Sequence, residues 1–120
     1  MDKFLWVFLG AGLGGVLRYL VSVLVILRYA GPFPLATFTV NVSGSFAIGV
    51  LMTLFSDRYP HHANLRLFLV TGLLGGFTTF SSFEWEALQT ARYGARGLAL
   101  FYVTASVAAG YGAVYLASRR

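Results

Sequence analysis

Long apolar runs, separated by short clusters of glycine, proline and charge, set the pattern of this chain. Four windows of membrane length can be laid along it, from about Lys3 to Arg28, Pro34 to Ser56, Leu65 to Gln89 and Arg96 to Ser118. A spanning helix needs about 20 mostly apolar residues, so each window suffices and little chain is left over. The separators, Tyr29 to Pro34, Asp57 to His62 and Arg92 to Arg96, carry the Gly and Pro of tight connections. The pattern predicts an all-α integral membrane protein, with residues 1–120 forming one four-helix transmembrane domain.

Polar positions inside the windows narrow the reading. In the second, Thr37, Asn41 and Ser45 recur at i, i+4 and i+8 and share one helical face. Asn41 has two readings there: an amide that glues helices together, or a donor to a passing anion. In the fourth, Tyr102, Ser106 and Gly110 repeat the spacing, two hydroxyls followed by a gap. Neither face contains a carboxylate, which argues against a proton-coupled cation carrier using them.

The third window holds GGFTTFSSFEWE, residues 75–86. Gly75 and Gly76 weaken a helix, and the β-branched Thr78 and Thr79 weaken it further, so an interruption is expected near the middle of the span. Broken helices are tolerated in a membrane only where the freed backbone is buried in protein or lines a hydrated or ion-binding cavity. Freed carbonyls are natural ligands for a hard cation such as sodium. Phe80 and Phe83, three residues apart, share a face, and the positive edge of an aromatic ring can partner an anion without gripping it as a full charge would. Ordinary ring packing is the other reading.

Composition agrees with the membrane class: 58% of the 120 residues are hydrophobic and 11% charged, with a mean hydropathy of +0.73. The first run begins at Asp2 and Lys3, outlasts a signal-peptide core and is followed by further membrane-length runs, so it is expected to be a retained helix. With no cysteine, disulfides and thiolate metal sites are excluded. The net charge of +5 comes from basic residues at span ends, where headgroups account for them and a nucleic-acid face does not form. Lys3, Arg58, Arg66, Arg119 and Arg120 fall on the side of the termini, and Arg28, Arg92 and Arg96 on the other. So weak a bias is compatible with insertion in either orientation.

Several apparent motifs dissolve on inspection. Gly10-Ala-Gly-Leu-Gly-Gly15 matches GxGxxG but lies within an apolar span, with no acidic residue after it before Asp57, so it is no dinucleotide fingerprint. Gly10 and Gly14 instead have GxxxG spacing for close helix contact, within one chain or between two. His61 and His62, adjacent in a loop, lack the further ligands of a metal site. No histidine within a span is available to activate a serine. Arg18 lies well inside the first window, where an arginine either caps carbonyls and reaches headgroups or lends its charge to an anion vestibule.

Taken together, GGFTTFSSF at 75–83, Gly14-Gly-Val-Leu-Arg18-Tyr19 and Asn41 within TVNVSG resemble the CrcB/Fluc family of small fluoride channels, over essentially the whole chain. The resemblance implies an antiparallel, dual-topology homodimer with two fluoride pathways in the inner (plasma) membrane of a microorganism. It implies a central structural Na+ held by backbone carbonyls, by motif position those of Gly75 and Thr78. It places Asn41, Phe80, Phe83, Tyr102 and Ser106 on the fluoride pathway, with Thr37, Thr79 and Ser82 as further candidates. Glu86 matches a position near a pore mouth and Arg18 the vestibule arginine. Gly110 departs from the pattern, because a hydroxyl is expected there. The expected function is passive export of cytoplasmic fluoride, relieving its toxicity, with no enzyme activity. A small dual-topology proton-coupled multidrug antiporter is the rival, but it calls for an embedded carboxylate, ideally in the first span, which has none after Asp2. A purely structural subunit would leave Asn41 and the broken span unexplained.

Overall fold

The computed structural model describes residues 2–119; Arg120, counted above with the basic residues on the terminal side, lies outside them. Four helical spans, each long and apolar enough to cross a membrane, account for almost all of the chain. Helix α1 covers Asp2–Arg28 and α2 Leu35–Asp57. The third span, Ala63–Arg92, is composite: α3 (Ala63–Arg66), a π-helical stretch (Leu67–Leu74), α4 (Gly75–Phe77) and α5 (Ser81–Arg92). The last span is α6, Arg96–Ser118. The long axis of 50 Å exceeds the roughly 40–45 Å of a bilayer with its headgroups.

Local chemistry sets the boundaries. Pro34 immediately precedes α2, where its missing N–H costs nothing. After α5, Gly94 takes a φ of +91°; its N–H donates to Ala91 (3.1 Å) and that of Ala95 to Thr90 (3.1 Å), closing the helix with a left-handed glycine turn.

The spans pair in two ways. α1 lies along the π-helical stretch and α4, while α2 lies along α6, which also receives α5. The first pairing is backbone against backbone. A Cβ on Gly10 would collide with the carbonyl of Phe68, one on Gly14 with that of Leu73, and one on Gly76 with that of Ala11. The GxxxG of α1 therefore packs inside the chain, against the Gly72/Gly76 spacing of the third span. The second pairing is parallel and in steady register: Glu86 bridges Thr37 to Tyr102, Ser45 faces Gly110, and Gly49 lies against Val114.

The expected interruption exists, displaced toward the C-terminus. Gly75, Gly76 and Phe77 remain helical, and the chain turns extended at Thr78 (φ −87°, ψ 160°) before α5 begins at Ser81. Propensity alone would place the break at the glycines. Packing of Gly76 on the Ala11 backbone holds that turn, and side-chain competition opens the next one. Thr78 donates both its N–H (3.0 Å) and its hydroxyl (2.8 Å) to the Leu74 carbonyl.

Asn41 then takes over at Thr79. Its Oδ1 accepts the Thr79 N–H (2.8 Å) and its Nδ2 donates to the Thr79 carbonyl (2.8 Å), so one amide replaces both helical partners of one residue. Thr79 Oγ1 accepts from the Ser82 N–H (3.2 Å), starting α5 as a side-chain cap.

Two substitutions separate these supports. Gly14→Ala forces a methyl into the Leu73 carbonyl and is expected to destabilise by about 1–3 kcal/mol, whereas Gly12→Ala, facing open space, should stay within about 0.5 kcal/mol; thermal unfolding in detergent measures both. Asn41→Leu strands the Thr79 N–H and carbonyl, and is expected to cost about 2 kcal/mol or more and to accelerate hydrogen exchange at the Thr79 amide.

Candidate ion-conduction site

The break opens onto a groove of about 550 Å³ between α2 and the third span. Asn41, Ser45, Thr78, Thr79 and Gly75 contribute to its wall, and Phe80 stands at its edge. Gly44 makes room for the Thr78 methyl, which a Cβ there would strike. The groove is thus polar at mid-span and open on the outside of the chain.

Phe80 and Phe83 lie with ring centroids 6.0 Å apart and planes tilted by 45°. They share a contact but not an environment: Phe83 is 8% exposed and Phe80 70%. Phe83 meets Tyr102 edge to face, centroids 5.0 Å apart.

Beyond Phe83 the polar groups converge on one carboxylate. Glu86 Oε2 accepts from the Thr37 hydroxyl (3.0 Å) and Oε1 from the Tyr102 hydroxyl (3.0 Å). Tyr102 is fully buried and Thr37 nearly so, with Phe33 from the α1–α2 connection packed edge-on against the tyrosine ring at 5.3 Å. α2, α5 and α6 each supply one member of this triad. Its carboxylate also borders a second cavity of about 520 Å³, walled by the Gly31–Pro34 connection and by Gln89 and Thr90. Gln89 did not figure in the sequence reading. Its Oε1 is buried with no partner among the described residues, and its position one turn after Glu86 on the same face was the available signal.

The remaining sequence-derived positions fall on either side of this line. Ser82 is half-buried at the start of α5 and engaged through its N–H. The Ser106 hydroxyl is buried with no partner among the described residues, and the α2–α6 register sets it level with Asn41. At Gly110, a Cβ would come within 3.3 Å of Ser45 Oγ. The hydroxyl missing from α6 is thereby supplied from the facing helix.

Gly75 and Thr78 meet a specific condition for cation ligands. The N–H that would serve the Gly75 carbonyl in an unbroken helix belongs to Thr79 and is held by Asn41; the one that would serve Thr78 belongs to Ser82 and is held by Thr79 Oγ1. Both carbonyls are released from the ladder by side chains, and Gly75 faces open space. Two hard oxygen donors of this kind fit an alkali cation. Arg18 reaches the same region from α1: its Nε donates to the Gly76 carbonyl (3.2 Å), whose helical donor would be the Phe80 N–H beyond the break. The arginine caps a carbonyl of a neighbouring span.

Comparison with known proteins shows the family. Relatives named fluoride-specific ion channel FluC include one from Solibacter usitatus, 48% identical over 113 residues (94% of this chain and 93% of the relative). Another, from a Methylobacterium species, is 55% identical over 108 residues (90% and 86%). A third, from Agrobacterium fabrum, is 50% identical over 107 residues (88% and 85%). The family model described as CrcB-like protein, Camphor Resistance (CrcB), matches residues 5–118, and the chain belongs to that CrcB-like family.

Proposed function

We propose that this protein is a fluoride-selective channel that lets cytoplasmic fluoride leave passively through the inner membrane. The observation that carries the proposal is the family membership, with relatives named as fluoride-specific channels over nine-tenths of the chain. The geometry supports it, because the polar side chains lining the mid-span groove, Asn41, Ser45, Thr78 and Thr79, are neutral and Phe80 stands with them, suited to an anion that must both enter and leave. Hydrogen fluoride crosses membranes uncharged and dissociates inside, so the outward gradient of the anion drives export without coupled energy. No bond is made or broken.

The pathway runs, on this reading, along Asn41, Thr79, Ser82, Phe80, Phe83 and Ser106 toward Thr37, Tyr102 and Glu86. Fluoride sheds tightly held water, and each lost hydration contact needs a replacement donor. Phe83 and Phe80 offer ring edges, Ser106 an unengaged hydroxyl, and Asn41 the one Nδ2 hydrogen left after pairing with Thr79. Thr37 and Tyr102 already donate to Glu86. An arriving anion therefore competes with the carboxylate for the same two hydroxyls, which keeps the mouth satisfied while no ion is there. Arg18, tied to the Gly76 carbonyl, contributes positive charge beside the break.

A second copy is part of the proposal. The mid-span groove is lined by Gly75 and Thr78, whose carbonyls the break releases, and it cannot face lipid without loss, since hydrocarbon offers these groups no hydrogen bonds. Another chain covering it in antiparallel orientation would complete two pathways, and the weak charge bias of the loops permits the dual topology. The carbonyls of Gly75 and Thr78 are among those that each chain releases at the break. Two copies would bring four around an axial Na+, whose role is to fix positive charge at the centre of the assembly. The antiporter reading finds no support: Glu86 is occupied by two hydroxyls, and α1 carries no acid deeper than Asp2.

Purified protein in liposomes is expected to release fluoride rapidly and chloride negligibly; comparable rates for the two anions would overturn the proposal. Phe80→Ile and Phe83→Ile should each lower fluoride efflux about tenfold, the scale of an aromatic-edge contribution near 1.4 kcal/mol. Size-exclusion profiles should stay unchanged, and full flux in both variants would return the rings to packing.

A further inference from the structure

A third cavity, of about 410 Å³, lies where α1 begins, α2 ends and the third span starts, away from the groove's aromatic pair and the Glu86 triad. Its rim is cationic. Lys3 and Arg66 both line it, with His62 beside them, and no carboxylate is among the described lining residues. The nearby Asp2 carboxylate is directed elsewhere, accepting from Asn64 Nδ2 at 3.2 Å. Two formal positive charges without an anion line one enclosed space.

The walls change character with depth. Lys3 and Arg66 lie within the first turns of their spans, at headgroup level, and both are exposed. Tyr59, held edge-on to His62 with centroids 5.4 Å apart, and Thr71, about a turn deeper than Arg66, add hydroxyl donors. Phe55, 7% exposed, and Leu67 form the apolar wall. A free inorganic anion would use the cations but gains nothing from that wall. An amphiphile with an anionic head uses both, and basic pockets between spans at the membrane surface bind acidic headgroups.

We propose that this cavity holds the headgroup of an anionic phospholipid, its phosphodiester on Lys3 and Arg66, with Tyr59 and Thr71 donating and the glycerol end against Phe55 and Leu67. The ligand is a structural lipid at the edge of each chain, meeting the mid-span groove only at Thr71, which lines both cavities.

The full chain in detergent, titrated with phosphatidylglycerol, phosphatidylcholine or inorganic phosphate, tests this through lipid retained in native mass spectra and through thermal unfolding. Phosphatidylglycerol is expected to be retained and to raise the melting temperature more than phosphatidylcholine does. Lys3→Gln and Arg66→Gln should each weaken its apparent affinity about fivefold, Arg66→Lys should keep most of it, and Arg96→Gln, outside the cavity, should leave it unchanged. Should a neutralised variant fail to fold, Tyr59→Phe and Thr71→Val on the native charges carry the test, each expected to lower retention. Equal retention of the two lipids, or undiminished phosphatidylglycerol binding in the variants, would overturn the proposal. So would inorganic phosphate matching the effect at equal concentration, since it would show a free-anion site. Neither readout involves fluoride, so the result stands apart from the channel proposal.

Discussion

Backbone hydrogen bonding at the break in the third span is the constraint on which the rest of the structure depends. In hydrocarbon an unpaired N–H or carbonyl costs several kcal/mol, so a span can be opened only where other groups take over. Here the substitution is made by named side chains: Asn41 for the N–H and carbonyl of Thr79, Thr79 Oγ1 for the Ser82 N–H, Thr78 for its own preceding turn, Arg18 for the Gly76 carbonyl. They come from α1, from α2 and from the break itself, and Asn41 and Arg18 hold α2 and α1 to the opened turn. The same bonds that stabilise the break also decide which backbone groups remain available, among them the carbonyls of Gly75 and Thr78.

The glycine packing of α1 serves that arrangement. Because Gly10 and Gly14 bring α1 into backbone contact with the third span, Arg18 arrives one turn further along at the height of Gly76. A looser helix pair would leave the guanidinium without its carbonyl. The π-helical stretch from Leu67 to Leu74, with its wider turns, carries Gly72 and Leu73 against Gly10 and Gly14. Neither the motif in α1 nor the widened stretch acts alone: the first supplies flatness and the second supplies the matching surface.

Much of this was legible in the sequence, and the limits have physical causes. Four spans, their tight connections and the existence of an interruption follow from hydropathy and from Gly and Thr propensity, which are local. The position of the break was not local. Propensity favours Gly75 and Gly76, but contact with Ala11 keeps them helical and Asn41, thirty-eight residues from Thr79, opens the chain later. Asn41 and Arg18 each had two readings in sequence because partner choice depends on packing, and both turned out to bind backbone. Likewise nothing in the spacing of Thr37 and Tyr102 joins them through Glu86, since their bridge needs a third helix. The exposure difference between Phe80 and Phe83 was hidden too: equal spacing on a face says nothing about which ring the rest of the chain covers.

The distribution of satisfied and unsatisfied groups has a direction of its own. At the outer end, Thr37, Tyr102 and Glu86 satisfy one another; at the break, Asn41 and Thr79 do the same. On the facing helix, level with Asn41, the Ser106 hydroxyl is buried without a partner among the described residues, a condition worth about 1–3 kcal/mol in lost solvation. Gln89 Oε1, one turn from Glu86, is the other buried side-chain atom without a partner among the described residues, so both open groups lie on helices that carry the Glu86 triad. An unengaged donor held in a low-dielectric interior is what a small, strongly hydrated anion needs in exchange for water. On the channel proposal, the open Ser106 hydroxyl, level with Asn41, is a donor that fluoride can take in exchange for water without displacing an existing hydrogen bond.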